Sequence, residues 1–160
     1  MGLREFLQGR RDAAELGDGV WRRAHDRFRR GLDRFHQILE RVPEGPALEA
    51  LIPSANRLAD LLPEVRQIAV SAQSLAPSDS TDIPAARDGC WADLHRALSR
   101  SGNSLAQCAE ALAMLRCSGS CQLQHCDQLD AVERRVMAVE EQVAEAARCL
   151  RLAQQTPASA

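Results

Sequence analysis

Val20 to Val42 reads VWRRAHDRFRRGLDRFHQILERV. Within it Trp21, Ala24, Phe28, Gly31, Phe35, Ile38 and Val42 recur at alternating steps of three and four. Residues three and four apart share a helix face, so the spacing predicts an α-helix with one apolar stripe. Phe6, Trp21, Phe28 and Phe35 lie in or before this stretch, and Trp91 is the only large aromatic elsewhere. The expectation is that the other helices pack against it.

The same alternation recurs outward. VPEGP at Val42–Pro46 reads as a turn, since two prolines and a glycine cannot continue a helix. Leu48, Leu51, Ala55, Leu58, Leu62, Val65, Ala69, Ala72 and Ala76 form a second stripe, with Pro53 and Pro63 inside it. Each proline removes an intrahelical hydrogen bond, so this helix is expected to be kinked or broken. APSDSTDIP at Ala76–Pro84 reads as a linker, with Asp82 as the N-cap of the next helix. A third stripe runs through Trp91, Leu94, Leu98, Ser101, Leu105, Cys108, Leu112 and Leu115, with Gly102 marking a close approach. Ser118-Gly119-Ser120 suits a short turn, and Leu129, Val132, Val136, Val139, Val143, Ala146, Leu150 and Ala153 complete a fourth helix. The fold class expected is all-α: an antiparallel up-down-up-down four-helix bundle forming a single domain over residues 1–160. Residues 1–19 are expected to be weakly ordered or a short N-terminal helix, and residues 154–160 a loose tail. Leu3, Phe6 and Leu7 are expected to cover one end of the bundle, with a membrane surface as the alternative site for them.

Composition narrows the function classes. Tyrosine is absent, and the chain holds three phenylalanines and two tryptophans. The core must come from small and aliphatic side chains, which suits helix-on-helix packing. All twenty basic residues are arginine, as GC-rich bacterial coding produces, and the net charge is −2. That balance does not suit a general nucleic-acid binder. No stretch approaches the roughly 20 apolar residues of a membrane span. No signal peptide is evident, so a cytoplasmic location is expected. There is no P-loop, dinucleotide fingerprint or nucleophile elbow. A di-iron bundle would need inward Glu-x-x-His pairs, and the chain offers only Asp33-x-x-His36.

Charge is unevenly placed. Residues 1–42 carry a net +3 and residues 43–160 a net −5. Arg22, Arg23, Arg27, Arg30 and Arg34 crowd the outer face of the Val20–Val42 helix, with Arg29, Asp26 and Asp33 beside them. Such a face steers an acidic partner surface toward it, or lies against acidic neighbours in its own bundle. The expected function is therefore a non-catalytic bundle protein that binds a protein partner through this basic face, with homo-oligomerisation as a further option.

The alternative is chemical. All six cysteines lie beyond residue 89, and CSGSCQLQHC at Cys117–Cys126 puts Cys121 and His125 on one helix face. With Cys117 and Cys126 they form a candidate thiolate–imidazole site for zinc or copper, or a thiol-redox centre. Two of its ligand steps resemble the cysteine-lined four-helix copper-storage proteins, which use many more cysteines. Folding this half about Gly119 brings Cys90 near Cys149 and Cys108 within about a helical turn of Cys126. A reducing compartment argues against permanent disulfides, and a buried cysteine often serves as a small hydrophobe.

Overall fold

The structure, a computed structural model, describes residues 2–117 and 122–155, with the side chains of 116, 117 and 122–125 excepted. The described residues form five helices and no strand: α1 (Leu3–Leu16), α2 (Val20–Leu39), α3 (Pro46–Leu75), α4 (Cys90–Cys117) and α5 (Gln122–Gln155). The Ser118-Gly119-Ser120 turn and most of the tail lie outside the described residues.

The aromatic stripe of α2 is the centre of the core. Trp21, Phe28 and Phe35 are fully buried, with Ala24, Leu32 and Ile38 beside them. The helix stops at Leu39, short of Val42, because the chain tightens: Arg41 N–H donates to the Ile38 carbonyl and Val42 N–H to the Leu39 carbonyl, each at 3.0 Å. Val42 still reaches the core. In α3, by contrast, the helix is unbroken through Pro53 and Pro63. Both rings sit on its exposed side while Leu51, Leu58 and Val65 are buried on the other. The missing hydrogen bonds therefore fall away from the core, and the apolar stripe holds the helix together.

The order of the helices around the core departs from a simple up-down-up-down ring. Among the described residues α2 packs on α3 and α4, and α5 packs on α3 and α4, leaving α2/α5 and α3/α4 as the diagonals. Trp21 stacks edge-on against Trp91 with centroids 6.1 Å apart, and Gly31 lies against Leu105. Positions rise together along both helices, so α2 and α4 run parallel. Ser54 and Arg57 of α3 reach Glu133 and Glu140 of α5, so these two also run parallel. Of the four contacts around this ring, the two hairpins are antiparallel: α2 with α3, and α4 with α5, where Cys108 Sγ lies 3.9 Å from the Val132 carbonyl oxygen.

The diagonal placement of α3 and α4 requires the long connection 76–89. It is pinned to the start of α2. The Trp21 indole N–H donates to the Ala76 carbonyl at 2.8 Å. The buried Ser78 Oγ accepts from the Val20 N–H at 3.2 Å, capping α2 from outside its own sequence. A side chain at Gly19 would place its Cβ 2.2 Å from the Ser78 carbonyl oxygen, so only glycine allows this approach. The next helix begins at Cys90, not behind Asp82. Asp88 Oδ1 accepts the Cys90 N–H at 3.1 Å and takes the capping role.

Residues 3–16 form a true helix, the fifth, and it does not use its apolar edge to cover the bundle. Leu3, Phe6 and Leu7 are 75%, 60% and 55% exposed. The helix is held at its other end by Leu16 and by the buried Asp12. Arg66 of α3 donates to Asp12 Oδ1 at 2.9 Å and to Glu15 Oε2 at 2.8 Å.

Candidate functional site

The arginines of α2 divide into two sets. Arg22 is tied to Asp26 on its own helix at 3.1 Å, and Arg29 points toward Asp12 of α1 at 3.9 Å. Both have a carboxylate of their own chain within ion-pair reach. Arg27, Arg30 and Arg34 lie one turn apart along one edge, all exposed, and line one wall of a groove between α2 and α4. Among the described residues no carboxylate lies within ion-pair distance of these three. Arg23 is exposed but lies outside the groove.

The groove exists because both helices carry small residues where they meet. Gly31 approaches Leu105 so closely that a Cβ there would lie 3.1 Å from its Cγ. Across from it, Gly102 lets the aliphatic stem of Arg27 rest on α4, with Cγ and Cδ 3.1 Å from where a Cβ would stand. Ala106, Ala109 and Ala113 continue the α4 side, and Ile38 closes the floor. The resulting volume is about 540 Å³. Among the described residues Glu110 is the only carboxylate lining it. The cleft thus combines an apolar, small-residue floor with one cationic wall.

The three arginines and the close approach at Gly102 are legible in the sequence, but the alanines that continue the α4 side were not singled out. Their signal was present: Gly102, Ala106, Ala109 and Ala113 recur at four, three and four, beside the buried Leu105, Cys108 and Leu112. A stripe of small residues next to a core stripe marks an edge where two helices leave a furrow.

Of the candidate metal ligands, Cys117, Cys121 and His125 have side chains outside the described residues. Cys126 is an exposed free thiol. Among the described residues no three His, Cys, Asp or Glu side chains are grouped to hold a metal ion. Cys90, Cys108 and Cys149 are also free thiols. Burial pushes the Cys108 thiol up to about 12. Burial and Asp88 push Cys90 up to about 11, and burial and Glu145 raise Cys149. Thiols held protonated are poor nucleophiles and poor ligands, which weighs against redox chemistry at these three. Cys108 fills the seam between α4 and α5 as a small hydrophobe would.

Fold and groove together define an all-α bundle with an arginine-walled cleft between two parallel helices. No family model matches the chain, and neither a curated protein nor a solved structure is detectably similar to it. No helix of the described residues is long and apolar enough to cross a membrane.

Proposed function

We propose that this is a non-catalytic binding protein whose α2–α4 groove takes an acidic, amphipathic helical segment of a partner protein. The observation that carries this reading is the unneutralised row Arg27, Arg30 and Arg34 above a floor of glycine and alanine. Exposed charges on a bundle surface are ordinarily paired or scattered. Here three like charges are spaced one turn apart, spanning about 10 Å of helix axis. That is the length over which two turns of a partner helix would present carboxylates, while its small apolar face lies on the alanines. The positive wall would speed encounter and select against basic partners.

The test is a titration with a fluorescent acidic amphipathic peptide against the same peptide with its glutamates replaced by lysines. The acidic peptide should bind more tightly, and Arg27→Glu with Arg30→Glu should weaken it about tenfold or more. Affinity should also fall as salt rises. Equal binding of both peptides, or indifference to the charge reversal, would sink the reading.

A further inference from the structure

The first helix is amphipathic with its faces reversed. At 100° per residue, Leu3, Phe6, Leu7, Arg10, Ala13 and Ala14 share one side, and Glu5, Asp12 and Leu16 share the other. In most surface helices the apolar side faces the core. Here the polar side does. Asp12 is buried against Arg66, and Leu16 is the only fully buried apolar side chain of α1. Because Asp12 and Glu15 are both tied to Arg66, the rotation of α1 is fixed and the apolar side must look outward. Every described residue from 2 to 11 is exposed, so nothing among the described residues covers Leu3, Phe6 and Leu7.

The charges around that face identify what would cover it. Arg10 lies within the outward side, and Arg4 and Arg11 border it. The acidic residues of α1 are on or beside the docked side, where Glu5 accepts the Gly2 N–H and Asp12 and Glu15 accept from Arg66. Arg11 shares Glu15 at 2.7 Å, leaving Arg4 and Arg10 for an outside partner. An apolar centre with a cationic rim and no carboxylate fits a layer of hydrocarbon beneath anionic headgroups. A second copy fits less well, since each cationic rim would meet another.

We propose that α1 is an interfacial helix that docks the bundle on an anionic lipid surface, inserting Leu3, Phe6 and Leu7 with Arg4 and Arg10 at headgroup level. The site is separate from the α2–α4 groove and does not depend on it.

The experiment is co-sedimentation of the full chain with vesicles of mixed phosphatidylglycerol and phosphatidylcholine, and with phosphatidylcholine vesicles alone. Binding to the anionic vesicles should exceed binding to the neutral ones. It should drop about tenfold or more in Leu3→Ser/Phe6→Ser/Leu7→Ser and in Arg4→Glu/Arg10→Glu. All five side chains are exposed, so circular dichroism should be unchanged. Arg27→Glu/Arg30→Glu should leave vesicle binding in place. The proposal is overturned if the chain ignores anionic vesicles, or if the triple serine variant still binds them. It is equally overturned if only the groove variant loses binding. Self-association without vesicle binding, abolished by the triple serine change, would make a second copy the occupant and also reject it.

Discussion

His25 is a basic residue placed where a charge is costly. It is 3% exposed, and its Nδ1 lies 3.1 Å from Asp26 Oδ1. Burial pushes its pKa down, Asp26 and Asp12 pull it back up, and Arg29 lowers it, leaving it below the ordinary value of 6.5. His95, beside Trp21, is lowered too, by burial and then by Arg27. The sign follows from which state takes up protons. The unfolded chain binds a proton near pH 6.5, while the folded chain resists it until lower pH. Stability from a neutral buried histidine is therefore fully present above about pH 6.5 and is lost as pH falls through that value toward the folded pKa. The urea midpoint should drop between about pH 7.5 and pH 5.5, and His25→Gln should flatten that slope. An unaltered slope in the variant would remove His25 as its source. From sequence His25 reads only as flanking the α2 seam. Asp12 of α1 comes close enough to act on its charge, and no local pattern announces that long-range approach.

At the scale of elements, the three-four spacing located four of the five helices, because apolar periodicity reports directly which side of a helix leaves water. A short helix over residues 1–19 was one of the two expectations and α1 is one, but the spacing misplaced its docking side for the same reason. Leu3, Phe6 and Leu7 are the apolar edge, yet the docking is done by Asp12 and Glu15 through Arg66, and a long-range ion pair leaves no periodic trace. Burial alone would raise the Asp12 pKa, but the hydrogen bonds from Arg66 and Gln8 outweigh it, and the carboxyl titrates below its ordinary range. Removing Arg66 would be costly, leaving the buried Asp12 without its closest charged partner, with Gln8 and the more distant Arg29 still beside it. Since α1 rests on the bundle through few other contacts, the chain can escape that cost by releasing the helix. Arg66→Met is expected to speed amide hydrogen exchange across residues 5–16 by at least about tenfold while the core of α2 and α4 stays protected. Protection of α1 equal to the parent protein would show that Leu16 alone suffices to hold it. Acid should act in the same direction: the docking contributed by Asp12 is present above about pH 4 and fades as pH falls through its lowered value.

Across the whole molecule, a stripe tells each helix that it must be covered but not by which neighbour. Linker length was the available clue. Residues 76–89 are far longer than the turn between α2 and α3, and they carry the chain across the bundle to a helix parallel to α2. The resulting α3–α5 side has no loop of its own to set its register, and the apolar stripes repeat every turn or so, which leaves a polar contact to mark the register. Arg57 supplies that contact. Its guanidinium donates to Glu133 at 2.6 Å and to both carboxylate oxygens of Glu140 at 2.9 and 2.6 Å. Ser54 Oγ donates to the remaining Glu133 oxygen at 2.8 Å. Hydrogen bonding to Glu140 and Glu133 raises the Arg57 pKa, and bonding from Arg57 and Ser54 lowers that of Glu133, as a mutually stabilised cluster requires. Its charged side chains are about a third exposed or more, so solvent screening limits its worth to about 1 kcal/mol. For a chain of this size Arg57→Met should then lower Tm by about 2–4 °C. A double-mutant cycle with Glu140→Gln should recover most of that loss as coupling. Additive losses would mean that Arg57 stabilises by packing its stem alone, and that the parallel register of α3 and α5 is held by the core.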